Sequence, residues 1–316
     1  MEPNYLPIEE RRPDTQYVDM IRRILEDGEF TQHPWQPVRR KVNLTLPPMV
    51  YDLTNGIPLA TERYMPFSKT LSPIGEMLAF VNGVHTQEEM VAWGCKWWKI
   101  WTTKEKCARF GLPEGELGPG SYGAGFNSTI FDWYDVPDHP DGGRYVPRVF
   151  RQFEHLVKSI RDNPTLSTHK ITCWLPHYCL QHAELKRQVV VAPCHGDIQV
   201  TILNGKLNLT MEQRSGDFPI GVPADTFMYA MLTIVLAKMT GFIPHRLIHR
   251  VIDAHVYENQ IPYVEEMLKR PSLPYPTLHF TEEGAGVSDI YDFRTRHFEL
   301  RDYRSHPAIP EMPVTE

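Results

Sequence analysis

The sequence predicts one α+β domain, a mixed β-sheet packed by helices, and three observations lead there. Residues 197–211 alternate apolar and polar on either side of Asn204-Gly205, the pair that favours a two-residue hairpin turn. Phe227 to Ala237 is almost wholly apolar, which fits a buried helix ending at Gly241. Tyr17 to Leu25, Ile74 to Val81 and Phe150 to Ile160 repeat apolar residues three and four apart, the pattern of amphipathic helices. No internal repeat and no linker divides the 316 residues, a length that one large domain accommodates. Hydrophobic residues at 41% and charged residues at 23% supply a core and exclude general disorder.

The elements follow in order. Residues 1–15, rich in Pro, Glu and Arg, read as a loose arm, which leaves 16–316 as the domain. The first helix has Gly28 as its C-cap. Val42 to Leu53 has β character, broken by Pro47-Pro48. The second helix begins after Ser72-Pro73 and stops at Asn82-Gly83, with Glu76 inside its apolar stretch. Trp97 to Trp101 is aromatic, and Gly118 to Gly123 is a loop by composition. Residues 132–143, acidic and rich in Pro and Gly, read as a surface insertion. Beyond the hairpin and the apolar helix, Arg246 to Val256 is strand-like and Tyr257 to Lys269 helical. The last forty residues are short strands and turns.

Lys and Arg total 33 and Asp and Glu 39, a net charge of −6. That balance excludes sequence-independent nucleic-acid binding, which relies on phosphate neutralisation, and leaves room for a small anion held by a few arginines. The five cysteines, Cys95, Cys107, Cys173, Cys179 and Cys194, are odd in number and contain no C-x-x-C, so neither a disulfide framework nor a metal site is expected. Residues 1–12 are polar rather than a leader, and no apolar run approaches the roughly 18 residues of a membrane span. A cytoplasmic location without membrane partners is expected.

Three constellations carry chemistry. In Ala192-Pro193-Cys194-His195, a cysteine stands between a proline and a histidine. Counting outward from Asn204-Gly205 brings Gln213 and Arg214 back beside His195 and Cys194, and a guanidinium near sulfur favours the nucleophilic thiolate. The other four cysteines read as small buried hydrophobes. Gln213-Arg214-Ser215-Gly216-Asp217 joins a guanidinium to a hydroxyl, a pairing suited to a phosphate dianion. Asp225, after Gly221-Val222-Pro223-Ala224, has the composition of a helix N-cap. In Asp253-Ala254-His255-Val256-Tyr257, His255 and Tyr257 share one strand face and could bond a sugar hydroxyl, or serve as core residues.

Taken in order, A-P-C-H, N-G-K-L, Q-R-S-G-D, G-V-P-A-D and D-A-H-V-Y-E-N resemble the thymidylate synthase superfamily in letters and spacing. Further matches are Gly56-Ile57-Pro58-Leu59, Ile74 to Leu78, Gly115 to Pro119, Tyr122-Gly123 and Ile290 to Phe293. The resemblance spans most of the chain, from Tyr17 to His306-Pro307. It implies a homodimer joined through a sheet face, a pyrimidine nucleotide monophosphate as substrate and 5,10-methylenetetrahydrofolate as co-substrate. It implies that Cys194 attacks C6, with His195 beside it, that Glu76 organises proton transfers and that Tyr122 helps remove the C5 proton. Gln213, Arg214 and Ser215 would hold the nucleotide, His255 and Tyr257 the sugar. Trp101, Asp217, Gly221, Ala224 and Glu76 would line the folate site, and the C-terminal tail would close over it.

The departures from the family pattern decide the expected substrate. The family has Asn where this chain has Asp225. Uracil offers an O4 acceptor, whereas cytosine offers an N4 donor that a carboxylate can accept, with N3 then needing a proton from the acid or on the ring. Each mispaired buried group costs about 1–3 kcal/mol. A cytosine nucleotide is therefore expected, and this Asp looks like that of phage deoxycytidylate hydroxymethylases. The partner-arginine pair is replaced by Ser167-Thr168-His169-Lys170, so His169 and Lys170 are candidates for the phosphate grip. The N-terminal phosphate motif is absent, and Arg39 and Arg40 stand nearby. Ala224 and Asp197, smaller or more polar than the family's residues, favour water entering to give hydroxymethyl over reduction to methyl. Methyl transfer to deoxycytidylate, hydroxymethylation of cytidylate, thymidylate synthesis and an idle nucleotide-binding member remain open at this point.

Overall fold

The computed structural model describes residues 2–34, 36–135, 143–181 and 184–315. Helix α1 (Gln16–Asp27) buries Tyr17, Val18, Met20, Ile21 and Ile24, the face that the apolar spacing predicts. Gly28 ends it in an extended conformation, φ −74°, not the left-handed one expected of a C-cap glycine. Space explains the residue instead, because a Cβ there would lie 2.4 Å from the Ile24 carbonyl oxygen. The short strands β1 (Glu29–Thr31), β2 (Arg40–Asn43) and β3 (Met49–Asp52) follow, with Pro47-Pro48 between the last two. After α2 (Phe67–Thr70), helix α3 (Ser72–Val81) is buried at every residue, Glu76 included.

The short helices α4 (Gln87–Ala92), α5 (Lys104–Ala108) and α6 (Tyr122–Phe126) come next, with α4 and α6 packed on α3. Strands β4 (Thr129–Asp135) and β5 (Gly143–Val149) pair antiparallel. The expected insertion at 132–143 therefore holds strand ends, and its residues 136–142 lie outside the described residues. Helix α7 (Gln152–Asp162), strand β6 (Lys170–Ile171) and helix α8 (Pro176–Cys179) lead to β7 (Asp197–Leu203) and β8 (Lys206–Asp217). Asn204 and Gly205 both take positive φ, 51° and 73°, as the hairpin turn requires.

Helix α9 (Gly221–Thr240) then crosses over to β9 (Ile243–Tyr257), which runs parallel to β8. The main sheet has the order β1-β2-β9-β8-β7-β6, with β3 also on β9. The expected helix from Tyr257 begins properly only at α10 (Ile261–Met267), because Tyr257 ends the strand. The pair β10 (Thr277–Phe280) and β11 (Phe298–Arg301), with α11 (Glu282–Gly286) between them, closes the chain.

Two expectations need correction. Helix α9 is, among the described residues, long and apolar enough to cross a membrane, with a mean hydropathy of 1.3; but 89% of that window is buried, the signature of a core helix. Helices α3 and α7 and strands β8 and β9 pack around it. The N-terminal arm is not loose. Tyr5 donates to the Leu278 carbonyl at 2.9 Å, Arg11 donates to the Tyr275 carbonyl at 2.9 Å and pairs with Asp302 at 2.9 Å. Arg11, part of the composition that reads as loose, is one of its ties.

One sheet face meets the helices through Leu207, Leu209, Met211 and Gln213 of β8 and Leu247, His249 and Val251 of β9, all buried. The alternate residues, among them Thr201, Leu203, Arg214, Arg250 and Ile252, are exposed on the other face.

Candidate active site

The hairpin register builds the site. Asp197 pairs with Glu212, and the Arg214 amide donates to the Cys194 carbonyl at 2.8 Å, so the count outward from the turn holds. Arg214 is anchored by donating to the Pro193 and Ala192 carbonyls, both at 2.7 Å, and its Nη2 lies 3.5 Å from the Cys194 sulfur. Trp174 lies 5.4 Å beneath the guanidinium. A cleft of about 190 Å³ lined by Trp174, Cys194, His195, Asp197, Glu212 and Arg214 opens beside the sulfur. Gly196 makes the turn into β7 at φ +114°, where a Cβ would sit 2.3 Å from the Cys173 sulfur.

The charge state of Cys194 departs from the sequence expectation. Burial pushes the thiol above its ordinary value, and Arg214 pulls it down only in part. Without ligand the sulfur is therefore held as a thiol, and a base or a bound partner must draw off the proton. The other four cysteines are buried as expected.

Two acids lie deep in the site. Glu76 Oε1 accepts from Trp97 Nε1 at 2.8 Å and Trp98 Nε1 at 2.5 Å. Burial raises its carboxyl to about 7 against these bonds, placing it where a group can give or take a proton at neutral pH. Asp225 is raised to about 8, first by burial and then by Glu76. Its Oδ2 accepts from Gln213 Nε2 at 2.7 Å, and its Oδ1 lies 3.5 Å from His195 Nε2. Asp225 is not the N-cap of α9, because the helix starts four residues earlier at Gly221.

His195 is buried and held neutral, its value lowered to about 3 by burial, and its Nδ1 meets the Tyr229 hydroxyl at 2.8 Å. Tyr122 stacks on Phe80, and its hydroxyl accepts from the Cys194 amide at 2.7 Å. Cys194 is thus in contact with Tyr122, and its neighbour His195 with Asp225, an arrangement suited to covalent catalysis with proton transfer.

The binding candidates divide. Asp217 is raised to about 6 by burial; it accepts from Gln260 Nε2 at 3.0 Å, and the same nitrogen donates to the Pro313 carbonyl at 3.0 Å, tying the C-terminal tail to it. Tyr257 accepts from Gln36 at 2.5 Å, and His255 Nδ1 bonds the Asp253 carbonyl at 3.0 Å. Arg40 pairs with Asp253 at 2.8 Å and so stays near that strand end, whereas Arg39 turns to Glu258. Gly221 and Ala224 stand on the first turn of α9, and Ser215 next to Arg214 on β8. Trp101 is half-buried beneath Lys106, 4.9 Å away.

His169 is buried and braces α7, with both ring nitrogens already engaged, by Ser159 at 3.2 Å and the Asn163 carbonyl at 3.0 Å, which leaves neither for a phosphate. Lys170 is exposed on the sheet-edge strand β6.

Sequence reasoning missed Arg187. Its guanidinium lies 4.3 Å over Phe110, its Nε is buried without a hydrogen-bond partner, and burial followed by repulsion from Arg214 holds it below the usual guanidinium range. It is a second arginine within electrostatic reach of Arg214. The signal in the sequence was the basic pair Lys186-Arg187 in an unpatterned loop.

The model of the family described as thymidylate synthase matches residues 15–315. A relative, thymidylate synthase 1/2 of Encephalitozoon cuniculi (strain GB-M1), is 28% identical over 309 residues, 96% of this chain and 98% of that one.

Proposed function

Because the chain belongs to the thymidylate synthase family of one-carbon transferases, which take a nucleotide monophosphate and methylenetetrahydrofolate, we propose that it hydroxymethylates C5 of deoxycytidylate. The observation that carries this reading is Asp225. A buried acid that keeps its proton near neutral pH donates to cytosine N3 and accepts from the N4 amino group. Cys194 gives its thiol proton through water to Glu76 and adds to C6 as N3 takes the proton of Asp225. The C5 carbanion attacks the folate methylene, the C5 proton leaves, and tetrahydrofolate is eliminated to give an exocyclic methylene. Water adds there as the sulfur departs. Per turnover, deoxycytidylate, methylenetetrahydrofolate and water give hydroxymethyl-deoxycytidylate and tetrahydrofolate.

Arg214 and Arg187 hold the phosphate, with Ser215 beside them and Arg40 at the far end of the strand pair. His255 and Tyr257 hold the sugar. Trp101, Asp217, Gly221 and Ala224 line the folate site, with Glu76 moving protons through water. Asp197 on the cleft wall favours water over hydride at the last step. The cleft is smaller than the roughly 300–1,000 Å³ of a complete small-molecule site, and Arg214 lies exposed on the uncovered sheet face. We read that face as the contact with a second copy, which completes the site and brings Lys170 within the range of candidates.

The test is product mass. Protein incubated with methylenetetrahydrofolate and deoxycytidylate gains a hydroxymethyl group on the nucleotide, with cytidylate and deoxyuridylate run in parallel. A methyl product with dihydrofolate released, or turnover of deoxyuridylate alone, overturns the reading.

A pH profile follows from Asp225. Burial lifts the acid from 3.8 to about 8, so the proton is present below that value and lost above it. Cytosine turnover, measured as kcat/KM, is expected to fall as pH rises through about 8. The same shift means that the folded chain holds a proton the unfolded chain releases above 3.8, so this group's contribution to stability also declines as pH climbs toward about 8. A flat profile across that region would remove the acid from the mechanism.

A further inference from the structure

We propose that His249, a positioning residue behind the site, sets the base preference by fixing the amide of Gln213 and thereby the oxygen of Asp225 that carries the acid proton. The inference rests on the cytosine reading above.

The chain of contacts is buried throughout, with Gln213 2%, His249 1%, Thr226 4% and Asp225 8% exposed. Gln213 Nε2 donates both its hydrogens, to the Ser215 carbonyl at 2.9 Å and to Asp225 Oδ2 at 2.7 Å. Its Oε1 meets His249 Nε2 at 2.8 Å, and His249 Nδ1 meets the Thr226 hydroxyl at 3.0 Å. Turning the amide over would set its oxygen against the Ser215 carbonyl, oxygen to oxygen. With the amide in place, Oε1 needs a donor, so the neutral imidazole of His249 carries its hydrogen on Nε2, and the Thr226 hydroxyl, which also lies 2.7 Å from the Val222 carbonyl, turns its one hydrogen to the Nδ1 lone pair.

The consequence falls on Asp225. A protonated carboxyl is ambiguous by itself, because with the proton on one oxygen it fits cytosine and with the proton on the other it fits uracil. Gln213 removes the ambiguity. Oδ2, fed by the amide, stays an acceptor, and it lies beside Gly221, where a Cβ would stand 3.6 Å away. The proton therefore goes to Oδ1. At 3.5 Å from His195 Nε2 this oxygen is too far for a good bond to the imidazole, so its hydrogen is free for a ligand. A base whose ring nitrogen meets Oδ1 and whose 4-substituent meets Oδ2 is then read as cytosine.

The experiment measures C5 tritium release from deoxycytidylate and deoxyuridylate as kcat/KM for the unaltered protein, His249→Phe and His249→Gln. A purely structural loss lowers both substrates together and leaves their ratio alone. The expected result is that His249→Phe lowers the cytosine-to-uracil ratio about tenfold, the effect of one unpaired buried group, while His249→Gln, whose Nε2 can donate to Gln213, restores it. Should His249→Phe fail to fold, Gln213→Leu removes the same donation and is expected to lower the ratio likewise. A ratio unchanged in the variant that folds overturns the role of His249 while leaving the cytosine reading intact. An unaltered protein that prefers deoxyuridylate overturns that reading, and this inference with it.

Discussion

Replacing Asp225 by Asn is expected to move the ratio of kcat/KM for deoxycytidylate over deoxyuridylate toward uracil by about 10²–10⁴-fold. A carboxamide has no acid proton to give to N3, and without that proton C6 of cytosine is a poor acceptor for sulfur. The loss is expected mainly in kcat for the cytosine nucleotide, since an amide can still bond the base. Uracil needs no proton at N3 and is spared. The absolute gain with deoxyuridylate should be small in the single variant, because Gln213 still calls for an oxygen at its own side of residue 225. It should grow when His249→Phe frees the amide. Steady-state rates with both nucleotides check this, and a ratio that does not move would remove Asp225 from base recognition.

Cys194→Ala is expected to abolish both C5 hydrogen exchange and product formation, by at least about 10³-fold, because Cys173, the second thiol on the cleft wall, is buried and turned to the His195 carbonyl at 3.2 Å. Nucleotide affinity should survive, since Arg214 is held by the carbonyls of Ala192 and Pro193 and not by the sulfur. Tritium release and equilibrium binding separate the two effects. Retention of full exchange activity would sink the covalent mechanism.

Local rules carried the hairpin furthest. Asn204-Gly205 fixes the register, and the register delivers Arg214 to Cys194 without any knowledge of the rest of the chain. Helix α3 was equally legible, from Ser72-Pro73 to Asn82. Contacts made across the fold were not. Trp97 and Trp98 read as an aromatic run, and nothing local announces that both indoles donate to Glu76 from a separate turn. Asp225 read as a cap because the residues before it include Gly and Pro, yet burial by α3 and β8 extends the helix back through them. The thiolate expected at Cys194 failed for a related reason, since a sequence shows the nearby cation and hides the desolvation opposing it. Burial, invisible in the chain order, turned His169 inward and set Arg187 within electrostatic reach of Arg214.

The pinned N-terminal arm bears on how the molecule assembles. Its bonds to Leu278, Tyr275 and His279 join residues separated by more than 260 positions. Closing so long a loop has a large entropic cost and brings little return until the intervening chain is already packed. The arm therefore docks late, onto a surface formed by strands far along the chain. A shortened chain beginning near residue 16 would keep every residue assigned here to chemistry and still lack the clasp that holds the two ends together.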